Sequence, residues 1–97
     1  MALGIIATLK VQDGKQTEFE AAFAEMAKVV KAEEKGCLLY SLCRDQEDNT
    51  TYRVMEQYTD DAALAAHGKS DAFKAAAGAL GGGIMAAKPD LIYVDVV

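Results

Sequence analysis

From Leu3 to Val11 the chain alternates, with Leu3, Ile5, Ala7, Leu9 and Val11 on one side and Ile6, Thr8 and Lys10 on the other. A period of two is the signature of a strand. Gln12-Asp13-Gly14 interrupts it, and the period then changes. Phe19, Ala22, Phe23, Met26, Val29, Val30 and Glu33 recur at three- and four-residue spacing, the stripe of an amphipathic helix. Glu18, Glu25, Lys28 and Lys31 take its wet side. Asp13 with Gln16, or Thr17 with Glu20, supplies a capping-box start, and Gly36 a stop.

Cys37–Asp45 and Thr51–Thr59 read as two strands of a hairpin, joined by the polar turn Gln46-Glu47-Asp48-Asn49-Thr50. Thr59, Asp60 or Asp61 caps a second helix, whose acidic first turn suits the helix dipole. Gly68 is expected to interrupt that helix, Ser70 to restart it and Phe73 to anchor it. Gly78 and Gly81-Gly82-Gly83 form a loose segment, read as a surface connector, with a lid over a cleft as the alternative. Pro89 precedes a last strand, Leu91–Val97. Strand, helix, strand, strand, helix, strand is the order of a ferredoxin-like α+β fold, with both helices on one face of a four-stranded antiparallel sheet. The whole of residues 1–97 is read as one domain.

Two helices cover one sheet face only, yet both faces carry apolar side chains. In the last strand Ile92, Val94 and Val96 point one way and Leu91, Tyr93 and Val97 the other. In the hairpin, Leu38, Tyr40, Leu42, Tyr52, Val54 and Tyr58 lie opposite Leu39, Cys43 and Met55. An apolar face left in water normally marks an interface, so a two-fold homodimer closing face to face is expected.

Composition narrows the chemistry. A hydrophobic share of 52% and a charged share of 26% describe a soluble globule, and the net charge of -5 argues against nucleic acid. No apolar run is long enough to span a bilayer, and Met1–Ala7 lacks a basic leader, so a cytoplasmic location is expected. Cys37 and Cys43, about 20 Å apart along one strand, cannot form a disulfide and read as small buried thiols. One histidine and no Cys-x-x-Cys spacing leave no zinc set, and no glycine-rich phosphate or dinucleotide loop is present.

Candidate chemistry gathers on one face. Pairing the hairpin about Asp48 sets Leu38 against Tyr58, Tyr40 against Glu56, Leu42 against Val54 and Arg44 against Tyr52. Glu56 between phenols and under an apolar helix needs a partner, either Tyr40 or Arg44. It could equally be the polar floor of a ligand cleft with His67 overhead. His67 is the only histidine, and its ordinary pKa suits proton transfer. The plainer alternative is that it packs or caps a helix end. Arg53, on the other face, reads as an interface or barrel-mouth residue.

The run Lys35-Gly36-Cys37-Leu38-Leu39-Tyr40-Ser41-Leu42-Cys43-Arg44-Asp45, then Glu56-Gln57-Tyr58-Thr59-Asp60, then His67 with Ser70 and Phe73, resembles the antibiotic biosynthesis monooxygenase family. Its small quinol-monooxygenase-like members look most similar. The resemblance covers nearly the whole chain. It implies a dimeric α+β barrel with an apolar cleft in each subunit, and oxidation of electron-rich polyphenols by O2 without metal, flavin or haem. His67 and Glu56 would be catalytic, with Tyr40, Tyr52, Tyr58, Arg44, Phe73 and Phe23 around the substrate. Tyr58 stands where the family often has tryptophan, and Ala72 where it often has a second histidine. The haem-degrading branch has asparagine, tryptophan and histidine where this chain has Ala7, Tyr58 and Ala77, so haem is not expected. Three activities fit: a cofactor-independent monooxygenase on a quinol or polyphenol, a proton-transfer isomerase, or a non-catalytic small-molecule-binding or stress-response module.

Overall fold

The alternation at the start of the chain does form a strand, β1 (Leu3–Lys10), whose Ile5, Ala7 and Leu9 are buried beneath helix α1 (Gln16–Glu33). The computed structural model describes residues 2–69, 74, 78 and 83–97. The expected restart at Ser70, the anchor Phe73 and most of the Gly78–Gly83 segment lie outside them. After α1 come β2 (Cys37–Arg44), β3 (Thr51–Tyr58), α2 (Asp61–Lys69) and β4 (Asp90–Asp95).

The four strands form one antiparallel sheet in the order β2-β3-β1-β4, the ferredoxin-like arrangement. Facing residues share a side, so Ile5 joins Glu56 and Tyr93, and Ala7 joins Val54 and Leu91, on the helix side. Phe19, Phe23, Met26 and Val30 of α1 close over that side. Burying such side chains stabilises the fold by roughly 1.5–3 kcal/mol each. The stripe continues to Glu34 where the spacing placed Glu33, which is exposed.

Chain ends and turns depart from the simple signals. Lys15 precedes α1 with no side-chain cap; Gln16 and Asp13 instead bond to one another, and Gln16 Oε1 accepts the Gly14 N–H. Gly14 itself takes a φ of 90°, which a side chain would oppose. Asp60 caps α2 by accepting the Ala63 N–H at 2.8 Å. Gly68 lies within α2 and does not interrupt it.

The hairpin pairs Tyr40 with Glu56, Leu42 with Val54 and Arg44 with Tyr52, as its turn predicts. At its far end the register slips. Cys37, not Leu38, faces Tyr58, and the extra residue turns Leu38 outward. Cys43 is exposed and Cys37 half-buried, so the thiols are free but not both buried. Arg53 pairs with Asp45 at 2.7 Å.

Gly36 ends the α1 connection for a packing reason and without a left-handed φ. A Cβ there would sit 2.5 Å from Ala63 Cβ and 3.2 Å from Thr59 Oγ1. The glycine lets β2 start directly against α2, while its carbonyl accepts the Thr59 N–H. Gly36→Ala is expected to destabilise the fold by about 1–3 kcal/mol through overpacking, read as a lower urea midpoint at unchanged slope.

Candidate functional site

His67 sits in the last turn of α2, and that helix lies over β2 and β3. The imidazole is consequently held against two phenol rings of the sheet, 5.7 Å from Tyr40 and 5.2 Å from Tyr58 between ring centroids. It is only 8% exposed. Its Nδ1 lies 2.7 Å from Glu34 Oε1, and its Nε2 lies 3.8 Å from Glu56 Oε1. One imidazole thus stands between two carboxyl groups, one from the end of α1 and one from the centre of β3.

Glu56 takes its hydrogen bond from neither partner that the sequence offered. Tyr58 donates to Glu56 Oε1 at 2.6 Å, whereas Arg44 reaches Glu20 at 3.5 Å. Burial lifts the Glu56 carboxyl above the usual carboxylate range, and the Tyr58 hydroxyl and the His67 imidazole oppose that rise. Burial and the nearby Glu56 carboxylate push the Tyr40 and Tyr58 phenols well up, so both stay protonated as donors. Burial also raises the Cys37 thiol, with Glu34 adding to it, which keeps that sulfur unreactive.

Glu56 and His67 both open onto a cleft of about 610 Å³ between the sheet and the helices. Its walls are mainly apolar: Phe23 and Met26 of α1, Leu64 of α2, and Leu91 and Tyr93 of β4. Tyr40 forms part of the wall and is stacked on Phe23, with ring centroids 5.5 Å apart and planes 8° from parallel. Leu91 and Tyr93 face the helix side yet are 45% and 63% exposed. That is ordinary for the rim of a binding cleft of this size.

The structure therefore brings together His67, Glu56, Tyr40, Tyr58 and Phe23. Tyr58 lies beneath the imidazole, fully buried, where it steadies Glu56. Tyr52 and Arg44 are elsewhere. They line a separate polar hollow of about 770 Å³ at the hairpin turn, where the Tyr52 hydroxyl donates to Glu20 Oε2 at 2.6 Å. Phe73 lies outside the described residues. Sequence reasoning missed Glu34, Met26 and Tyr93. Glu34 had a signal: it follows Val30 by four residues, on the buried stripe of α1.

Among the described residues no group of three or more His, Cys, Asp or Glu side chains is arranged to hold a metal ion, and no helix is long and apolar enough to cross a membrane.

Comparison with known proteins accords with this geometry. The family profile described as antibiotic biosynthesis monooxygenase matches residues 2–79. A crystal structure from Caulobacter crescentus CB15, provisionally assigned as an antibiotic biosynthesis monooxygenase, shares 46% sequence identity. It superposes with a TM-score of 0.93 over 99% of this chain and 90% of that one. SnoaB from Streptomyces nogalater, a cofactor-independent oxygenase solved as the N63A mutant, has the same fold at 20% identity. Its TM-score is 0.83 over 98% of this chain and 92% of its own. A Nitrosomonas europaea protein with the same provisional assignment as the Caulobacter one aligns at 17% identity and a TM-score of 0.91, covering 99% of this chain and 90% of that chain. No curated protein matches. With the profile spanning most of its length, the chain belongs to the antibiotic biosynthesis monooxygenase family.

Proposed function

We propose that this protein is a cofactor-independent monooxygenase that oxidises a hydroquinone or related polyphenol with O2. The observation that carries this reading is the sheltered imidazole beside Glu56 at the wall of an apolar, aromatic cleft. Family membership supports a monooxygenase-like function, and the description of SnoaB supplies the cofactor-free precedent.

A neutral hydroquinone reacts slowly with oxygen, whereas its anion transfers an electron readily. The protein's task is to take the proton, hold the anion and exclude water. His67 accepts the proton from a substrate hydroxyl. Glu56, kept in place by Tyr58, holds a second hydroxyl, and Phe23, Tyr40 and Tyr93 embrace the ring. One oxygen atom of O2 forms a bond to a ring carbon and the other leaves as water. The substrate supplies every electron, so the product is a hydroxylated quinone and no external reductant enters.

The working unit in this reading is a homodimer. Leu39, Met55, Ile92 and Val94 are exposed on the sheet face away from the helices, and β-pairing places them on one continuous surface with Ile6. A second copy of the same face is the partner of matching chemistry, since a two-fold contact is self-complementary.

The test is oxygen uptake by chelator-treated protein offered hydroquinones, naphthohydroquinones and catechols. Uptake equal to substrate consumed, with a hydroxyquinone product, is expected. Absence of uptake across that panel overturns the reading. Exchange of a substrate C–H proton in deuterated water without uptake would instead identify an isomerase using His67 and Glu56 as the acid–base pair. Thermal stabilisation by the same compounds without turnover would identify a binding module.

A further inference from the structure

The imidazole's second neighbour has a consequence for how the site works. Glu34 is the residue at which α1 ends. Its backbone is tied at both groups, the N–H donating to Val30 O at 3.0 Å and the carbonyl accepting the Cys37 N–H at 3.1 Å. Its side chain is turned inward, 8% exposed, and meets His67 Nδ1 at 2.7 Å. The second oxygen, Oε2, is buried with no hydrogen-bond partner. A carboxyl group half-satisfied in the interior is costly for a fold that needs only filler at that point.

We propose that Glu34 is the positioning residue for His67: its carboxylate accepts the Nδ1 proton and so makes Nε2, the nitrogen turned toward Glu56 and the cleft, the one that takes the substrate's proton. This rests on the reading of His67 as a base. Among the described residues, the groups that face the ring include Glu34 from α1, Tyr40 from β2, and Glu56 and Tyr58 from β3. Only Glu34 is within hydrogen-bonding distance of a ring nitrogen among these contacts.

Two arrangements are compatible with a 2.7 Å contact. Either the ring donates Nδ1–H to a carboxylate, or a neutral Glu34 donates O–H to a bare Nδ1. An ionised carboxylate can only accept, so a 2.7 Å contact to it requires the hydrogen on Nδ1. Burial strengthens that charge-assisted bond, because little water competes for either partner. In the first arrangement the neutral ring bears its lone pair on Nε2. In the second Nε2 carries a proton and cannot act as a base. The choice of tautomer therefore decides whether the imidazole can serve the cleft as a base.

Because the chain has a single histidine, the nitrogen NMR spectrum of the ring is free of overlap. In the wild-type protein, with the neutral ring selected by a pH titration, Nδ1 is expected to show the protonated resonance and Nε2 the unprotonated one. In E34A the ring proton is expected to move to Nε2. The isosteric E34Q, which keeps the packing, is expected to give a mixture of tautomers. With a reference hydroquinone, kcat in E34Q should fall about 10- to 100-fold, as for other residues that orient a functional imidazole, with KM nearly unchanged. A proton on Nε2 in the wild type overturns the proposal, as do ring nitrogens that are identical in wild type, E34A and E34Q. The NMR result stands whether or not oxygen uptake is found, so failure of the oxygenase reading and failure of the Glu34 role are separable.

Discussion

Replacing His67 by alanine should lower hydroquinone-dependent oxygen uptake by about 10²- to 10⁴-fold, the range over which a positioned general base acts. The loss should fall on kcat. Binding of the ring is assigned to Phe23, Tyr40 and Tyr93, which the substitution leaves in place. Glu56 does not substitute as the base in this reading, because Tyr58 holds its Oε1 at 2.6 Å and the carboxyl group is committed to the substrate's second hydroxyl. The imidazole also packs on Tyr40 and Tyr58, so its removal costs stability as well. A thermal melt separates the two effects: the variant must remain folded at the assay temperature. Uptake in a folded His67→Ala protein equal to that of wild type would remove histidine from the mechanism.

Most of the fold was legible because its signals are local. Alternation in β1, the α1 stripe and the polar turn around Asp48 each report a period or a break that a single segment carries. The hairpin register followed from them, down to Tyr40 opposite Glu56. What failed needed information from elsewhere in space. The bulge at Leu38 adds one residue without disturbing the count of apolar positions, so alternation alone put Leu38 on the wrong face. Gly36 follows the end of α1 as expected of a stop, but the need for a glycine there comes from Ala63, 27 positions away in the chain, for which its missing side chain makes room.

The site shows the same division. His67, Glu56 and the phenols of Tyr40 and Tyr58 were placed on one face by sequence, and they meet. Tyr52 and Arg44 share that face but not that place. Tyr52 is four residues from Glu56 on β3, about 13 Å along the strand, and α2 covers the other end. Alternation assigns a face and says nothing of position beneath a helix. Glu34 was passed over for another reason: Glu33-Glu34-Lys35 has the composition of a solvated helix end, which masks its four-residue spacing from Val30. Its contact with His67 spans 33 positions, and no short-range pattern encodes it.

The other large effect concerns the sheet's bare side. Ile92→Asp combined with Met55→Asp should convert a homodimer to a monomer, seen as a halved mass in light scattering at micromolar concentration. Both side chains are about half exposed, at 53% and 45%, and both flank Ile6 at the centre of the surface. A standard interface buries roughly 800 Å² on each partner, and at its middle an aspartate must shed its water, while Arg53 on the same face is already paired with Asp45. Two-fold symmetry doubles the insult, because each substitution occurs on both copies. A loss of at least about 10²-fold in dimer affinity is expected, which needs only some 3 kcal/mol. Ile92 and Met55 point away from the cleft, since their strand neighbours Leu91, Tyr93, Val54 and Glu56 are the ones that line it. Ligand-induced thermal stabilisation of the monomer would therefore show that each subunit holds a complete cleft, whereas its loss would show that dimerisation is needed to shape one. A wild-type protein that is already monomeric at that concentration would refute the proposed interface directly.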